Sequence, residues 1–153
     1  MFAKRSRAPE FSLPDQDGRD VSLTSLLNHG PLLLYFYPAD FTPGCTRQAC
    51  MIADLQQDIQ HSRMVVAGIS PQAPSVHQRF REQYKLPHTL LSDQTKEVIR
   101  MYGADGPLGF GVRRVSYLVD RARIIRDVIR ADFRISRHEQ FVRYAIAVAE
   151  SVR

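Results

Sequence analysis

Apolar residues form two short and nearly continuous runs in the first half of the chain. The first run is PLLLYFY at residues 31–37, bounded by Gly30-Pro31 and Pro38, and the second is MVVAGIS at residues 64–70. Runs of this length and composition are typical of strands that are buried on both faces of a sheet. The sequence therefore predicts two central strands in a sheet that is covered on both sides.

A one-sided helical repeat follows the first run. Apolar residues recur there at steps of four, three, three and four, at Cys45, Ala49, Ile52, Leu55 and Ile59. This spacing places them on one face of an amphipathic helix. Further helices are predicted in SVHQRFREQY, in TKEVIRMYG, which is closed by Gly103, and from Ser136, where Glu139 completes a capping-box pattern.

Two hairpins complete the predicted elements. FSLPDQDGRDVSL contains two short strands around an Asp-Gln-Asp-Gly turn, and RVSYLVD and IIRDVIR flank a short turn later in the chain. Strand and helix alternate before the second hairpin and the last helix, which predicts an α/β fold. Because no repeat, low-complexity tract or linker interrupts the sequence, we expect one domain over residues 1–153.

Composition narrows the function classes. The 153 residues are 44% hydrophobic and 24% charged, so the chain can bury a core without disulfides or metals. No run of 18 apolar residues is present, and no apolar stretch follows the basic N-terminal residues, so we expect neither a membrane span nor a secretory signal. We therefore expect a cytoplasmic protein without a membrane partner, in which a cysteine pair is more often catalytic or metal-binding than structural.

The formal net charge of +5 raises the question of a nucleic-acid partner. Arginines crowd the last third of the chain, but they alternate with apolar residues at strand and helix spacing. A polybasic block is the more typical signal for nucleic-acid binding. The arginines are therefore interpreted as solvated faces, and no nucleic-acid partner is expected.

Both cysteines lie in one stretch, PADFTPGCTRQAC at residues 38–50. Cys45 follows the carboxyl end of the first predicted strand and lies in the first turn of the next helix, a place where functional groups collect in α/β sheets. Unpaired backbone N–H groups and the helix dipole favour a thiolate there. A helix terminus contributes only about 0.3–2 kcal/mol, so we expect a cationic partner from elsewhere in the chain.

The residues just before Cys45 allow two interpretations. Thr42 is either an ordinary helix N-cap followed by Pro43 at the first helical position, or a hydroxyl directed over the start of the helix. Gly44 leaves its backbone N–H open to a small ligand.

The stretch PADFTPGCTRQAC closely resembles the active-site motif of the peroxiredoxins. The second cysteine, five positions after the first, resembles the Q-type subgroup, also called bacterioferritin comigratory proteins. The likeness extends to APEFSLPDQDGRDVSL, AGISPQAPSVHQRFREQYKLPHTLLSD and RRVSYLVD. It implies a thioredoxin-like fold with an N-terminal β-hairpin and a central mixed β-sheet flanked by helices. It also implies a thiol-dependent peroxidase that reduces hydrogen peroxide and alkyl hydroperoxides without a metal or organic cofactor.

The resemblance assigns a role to each matching residue. Cys45 matches the peroxidatic cysteine, whose thiolate becomes a sulfenic acid. Thr42 matches the residue that orients the peroxide, Gly44 supplies a backbone donor beside it, and Pro38 matches the residue that shields the pocket from water. Arg114 matches the arginine that stabilises the thiolate and the breaking O–O bond. The family pattern Arg-x-Ser before the late strand selects Arg114 over its neighbour Arg113.

Cys50 matches the resolving cysteine of the Q-type subgroup, and the alternative is a small buried apolar residue. On an intact helix, residues five apart have Cα atoms about 8–9 Å apart, beyond the roughly 7 Å limit for a disulfide. The hypothesis is that the helix opens after oxidation, Cys50 condenses with the Cys45 sulfenic acid, and a thioredoxin or glutaredoxin-type dithiol protein reduces the disulfide. An internal pair needs no partner subunit, so we expect a monomer.

Two further segments bear on the site. Q-type proteins often carry an acid two positions before the second cysteine, whereas this chain has Gln48. With Arg47, this makes the helix start more positive. The glycine-rich segment at residues 103–113 is predicted to be a mobile loop near the pocket, and it lacks the sequence of a phosphate-binding loop.

Two rival functions would place different residues at these positions. A thioredoxin-like thiol-disulfide oxidoreductase without peroxidase activity would carry Cys-x-x-Cys, and it would have proline where this chain has Arg114. A metal-binding module would need paired ligands. The five histidines lack metal-site spacing and are scattered through the sequence, at His29, His61, His77, His88 and His138.

Overall fold

A computed structural model describes residues 2–151. The strands are β1 (Ser12–Pro14), β2 (Asp20–Ser22), β3 (Leu32–Phe36), β4 (Val65–Ser70), β5 (Thr89–Ser92), β6 (Val115–Val119) and β7 (Ile125–Arg130). The helices are α1 (Leu23–Leu27), α2 (Pro43–Asp54), α3 (Gln56–Ser62), α4 (Pro74–Tyr84), α5 (Glu97–Met101) and α6 (Ile135–Ser151), with a 3₁₀ turn at Pro107–Gly109. None of the helices within these residues is both long and apolar enough to cross a bilayer.

The central sheet has five strands in the order β5-β4-β3-β6-β7. The pairings β3–β4 and β4–β5 are parallel, while β3–β6 and β6–β7 are antiparallel. Strands β1 and β2 form a separate antiparallel hairpin, whose turn is closed by the Asp15 carboxylate accepting from the N–H groups of Asp17 and Arg19. The predicted mixed sheet and both predicted hairpins are therefore confirmed.

Alternation along β3 divides the interior into two cores. Leu32, Leu34 and Phe36 face one side of the sheet, where α1, α5 and the N-terminal hairpin pack. Leu33 and Tyr35 face the other side, where α2, α3, α4 and α6 pack. All five residues of β3 are buried, as expected for a strand covered on both faces.

Two predicted helix boundaries are wrong. The face from Cys45 to Ile59 is buried as predicted, but Leu55 separates α2 from α3 because its N–H bonds to Ile52 O, three residues back, rather than four. The last helix begins at Ile135, so Ser136 is not its N-cap. Glu139 instead accepts from Arg143 Nε at 3.2 Å. Helix α6 therefore starts one residue earlier than predicted and includes the buried Ile135.

Candidate active site

Local sequence sets the position of Cys45 at the start of α2. Proline fixes φ and drives the residue before it towards extended backbone, so Thr42 is extended (φ −72°, ψ 148°) and Pro43 is the first helical residue. The first intrahelical bond runs from Thr46 N to Thr42 O at 2.8 Å. The N–H groups of Gly44 and Cys45 precede that bond and have no partner within the helix. The Cys45 side chain is almost fully buried, at 2% exposure.

Thr42 occupies the N-cap position, but its side chain does not cap the helix. Its hydroxyl instead donates to Ala39 O at 2.8 Å. With the proton committed to that carbonyl, Thr42 Oγ1 is left as a hydrogen-bond acceptor. A ligand that meets this oxygen must therefore bring its own donor.

Arg114 supplies the cation that was expected beside Cys45. Its Nη1 lies 3.4 Å from Cys45 Sγ and 2.8 Å from Gln48 Oε1, and Arg114 is only 7% exposed. A Cβ on Gly44 would lie 3.1 Å from Arg114 Nη2, so the glycine leaves room for the guanidinium. Arg113 points elsewhere, with its Nη1 3.9 Å from Asp132 Oδ2.

Asp132, which follows β7, holds the backbone and the side-chain stem of Arg114. Arg114 N donates to Asp132 Oδ1 at 3.0 Å, and Arg114 Nε donates to Asp132 O at 3.3 Å. Gln48, at 1% exposure, orients the far end of the guanidinium. Sequence reasoning noticed Gln48 as a departure from the family pattern but missed its contact with Arg114, and it missed Asp132 entirely.

Cys45 opens onto a cavity of about 650 Å³. Its wall includes Pro38, Thr42, Gly44 and Arg114, so the structure brings together every predicted site residue except Cys50. Pro38 lies at the exposed edge of this wall. The glycine-rich segment forms another part of the wall through Gly106, Pro107 and Phe110, which confirms its predicted location. Its mobility stays a prediction.

Cys50 lies farther along the same helix, away from the cavity wall. The backbone of α2 is helical from Pro43 to Asp54, and both cysteines are free thiols. Cys50 is half-buried. Burial raises the pKa of its thiol, and the Asp54 carboxylate raises that pKa further. The two sulfurs therefore share one helix but have different electrostatic surroundings.

A buried polar network fixes the loop between β3 and α2. The Asp40 carboxylate accepts from Tyr37 OH at 2.6 Å and lies 2.5 Å from His77 Nδ1, while His77 Nε2 lies 3.1 Å from Leu91 O. Asp40 N also donates to Gln72 Oε1 at 2.6 Å. These bonds tie the loop that carries Pro38 and Thr42 to α4 and β5. Nothing in the local spacing indicates a contact between positions 40 and 77.

The described residues offer no metal centre. Within residues 2–151, no group of three or more His, Cys, Asp or Glu side chains could hold a metal ion. The three buried histidines are engaged with neighbouring groups: His77 with Asp40, His88 with Tyr35 OH, and His138 with Ser116.

Comparisons with known proteins agree with this geometry. The model of the AhpC/TSA family matches residues 5–128. Peroxiredoxin Bcp of Escherichia coli strain K12 is 40% identical over 141 residues, which cover 88% of this chain and 89% of that protein. A chloroplastic peroxiredoxin Q of Gentiana triflora is 40% identical over 143 residues, which cover 90% of this chain and 65% of that protein. The chain thus spans slightly less than two thirds of that chloroplastic relative.

The crystal structure of peroxidoxin BcpB from Mycobacterium tuberculosis has the same fold. It matches with a TM-score of 0.90 and 33% identity, and the match covers 100% of this chain and 99% of that chain. The active-site stretch, the sheet order and these matches lead to one assignment. The chain belongs to the AhpC/TSA family and, within it, to the peroxiredoxins of the Q type.

Proposed function

We propose that this protein is a thiol-dependent peroxidase that reduces hydrogen peroxide and alkyl hydroperoxides with Cys45 as the attacking residue. One observation carries the proposal: Cys45 Sγ lies 3.4 Å from Arg114 Nη1 at the wall of a cavity that also contains Thr42. A cation beside the sulfur favours the thiolate, which is the nucleophilic form. The cavity provides space for a peroxide to bind beside the Cys45 sulfur.

In the first step, the thiolate attacks one peroxide oxygen. A bond forms between Cys45 Sγ and that oxygen, the O–O bond breaks, and the other oxygen leaves as water or an alcohol after taking up a proton. Thr42 Oγ1 accepts a hydrogen bond from the peroxide O–H, since its own proton is held by Ala39 O. Arg114 and the free N–H groups of Gly44 and Cys45 stabilise the negative charge that spreads over sulfur and the two oxygens.

In the second step, Cys50 attacks the sulfenic acid. The S–S bond forms, the S–O bond breaks, and water leaves. Because both residues lie in the continuous helix α2, residues five apart are about 8–9 Å apart at Cα and the first turns must open before the bond can form. A dithiol protein of the thioredoxin or glutaredoxin type then reduces this disulfide. Its own two thiols become a disulfide, and Cys45 and Cys50 return to the thiol form.

The remaining features of the proposal follow from this cycle. Thiol chemistry of this kind runs without a metal or organic cofactor, and the external dithiol is the electron source. Turnover needs a reducing compartment, so we place the protein in the cytoplasm. The resolving cysteine is in the same chain, so the monomer is the proposed active unit, with no membrane or nucleic-acid partner.

The test is stopped-flow reaction of the reduced protein with hydrogen peroxide and with cumene hydroperoxide, followed by mass analysis of the intact chain. We expect a fast reaction and the loss of two hydrogens, with Cys45 joined to Cys50. Cys50→Ser serves as the matched control and should react equally fast but gain one oxygen. Slow reaction with both peroxides together with fast exchange with a model disulfide would instead establish a thiol-disulfide oxidoreductase.

A further inference from the structure

A fully buried histidine connects three elements behind the active site. His138 lies in the first turn of α6 with 0% exposure. Its Nε2 lies 2.9 Å from Ala131 O, and its Nδ1 lies 2.9 Å from Ser116 Oγ on β6. No step of the proposed reaction uses this residue.

The partners fix one proton of the ring. A carbonyl oxygen can only accept, so Nε2 carries the proton that bonds to Ala131 O, whereas the Ser116 hydroxyl can donate to a neutral Nδ1 or accept from a protonated one. Burial lowers the pKa of His138. The charges of Arg114 and Arg137 lower it further, whereas the bond to Ala131 O and the Asp132 carboxylate raise it. The net direction is downward from the ordinary histidine pKa, which favours the neutral ring, whose Nδ1 accepts from the Ser116 hydroxyl.

The segment that His138 holds is the segment that holds Arg114. Ala131 N donates to Arg114 O at 3.1 Å. The next residue, Asp132, accepts from both the backbone N–H and the Nε of Arg114. These hydrogen bonds, together with the peptide bond between Ala131 and Asp132, therefore connect His138 to the guanidinium beside Cys45 Sγ.

We propose that His138 is a positioning residue which, together with Ser116, holds Arg114 against Cys45 by fixing the 131–132 segment. The inference rests on the proposed peroxidase function. It adds a residue of α6, a helix that supplies no residue to the reaction steps described above. Catalytic electrostatics depend on donors held at fixed places, and small displacements of such groups are costly. Loss of the hydrogen bond from His138 Nε2 to Ala131 O would let Asp132 shift, and Arg114 would then move away from the Cys45 sulfur.

The experiment is a double-mutant cycle on the single-turnover rate constant with hydrogen peroxide. His138→Leu should lower that constant about tenfold or more, because a shift of about 1 Å can cost up to about a hundredfold. His138→Gln keeps a donor for Ala131 O and should recover most of the rate. In an Arg114→Ala background, His138→Leu should change the rate less than about twofold, because residues that act through one another are not additive.

Two further variants separate positioning from stability. His88→Leu removes another buried histidine, bonded to Tyr35 OH at 2.8 Å, and should lower the melting temperature without a loss of rate that depends on Arg114. Ser116→Ala is the milder substitution should His138→Leu fail to fold, and we expect a smaller loss of rate that also vanishes in the Arg114→Ala background. An undiminished effect of either substitution in that background would overturn the inference. Slow peroxide reaction of the wild type would instead overturn the proposed function.

Discussion

The two cysteines of α2 carry the same functional group in opposite surroundings. Cys45 lies at the positive end of the helix, 2% exposed, with Arg114 Nη1 3.4 Å from its sulfur. Cys50 lies in the body of the helix, half-buried, with the Asp54 carboxylate one turn further on. Burial and that carboxylate both raise the pKa of the Cys50 thiol. A distance of five residues is thus enough to reverse the local charge.

This difference separates the two steps of the proposed cycle in time. A thiol with a raised pKa contains little thiolate at neutral pH, so Cys50 is a poor nucleophile while α2 is intact. Opening the first turns of α2 as far as Cys50 would expose this thiol and loosen its fixed distance from Asp54, which would weaken both causes of the raised pKa. Cys50 would then gain reactivity at the same moment as it gains reach towards Cys45.

The largest expected effect comes from removing the sulfur of Cys45, which leaves Cys50 as the remaining thiol of α2. Cys45→Ser should lower the rate of peroxide reduction by about a thousandfold or more, because a serine hydroxyl is not ionised at neutral pH and nucleophile losses are typically of this size or larger. Stopped-flow mixing with hydrogen peroxide measures the loss. Retention of fast peroxide reduction would show that Cys50 attacks peroxide directly and that the two surroundings do not define the roles.

The next effect removes the charge that distinguishes Cys45. Arg114→Ala should slow the peroxide step by about a hundredfold, the usual cost of losing one donor at a developing charge. Single-turnover kinetics with hydrogen peroxide provide the measurement. The adjacent Arg113→Ala is the matched control, with an expected loss of about threefold or less, since Arg113 contacts Asp132 at 3.9 Å rather than the sulfur. Equal losses would mean that general positive charge, rather than the placed guanidinium, matters.

The sequence predicts those features of the two cysteine surroundings that depend on residues close together in the chain. Thr-Pro-Gly-Cys after an apolar run predicts a cysteine at a helix start, and the continuous runs predict β3 and β4. Arg114 was identified through the family motif, because its own surroundings in the sequence are typical of a surface loop. The buried polar contacts could not be predicted in this way. The bonds from Arg114 to Gln48 and from Ser116 to His138 join residues 66 and 22 positions apart, and only the packing of helices α2 and α6 on the sheet brings such residues together.

A smaller effect tests the surroundings of Cys50. Asp54→Asn removes the carboxylate that raises the pKa of Cys50, so the pKa should fall and more thiolate should be present at neutral pH. In a Cys45→Ser background, alkylation of Cys50 by iodoacetamide should become about two- to fivefold faster, since one pKa unit corresponds to about tenfold in thiolate. Asp58→Asn on the exposed side of α3 is the matched control. A similar acceleration by both substitutions would assign the effect to net charge rather than to Asp54.

A comparable effect makes the two surroundings more alike. Gln48→Glu keeps an acceptor for Arg114 Nη1, now 2.8 Å from Gln48 Oε1, but places a negative charge in the buried space around Cys45. An anion near the sulfur opposes the thiolate and draws the guanidinium towards itself, so the peroxide step should slow by about three- to tenfold at pH 7. Single-turnover kinetics with hydrogen peroxide at pH 7 provide the measurement. An unchanged rate constant would mean that a charge at position 48 does not act on the reacting atoms.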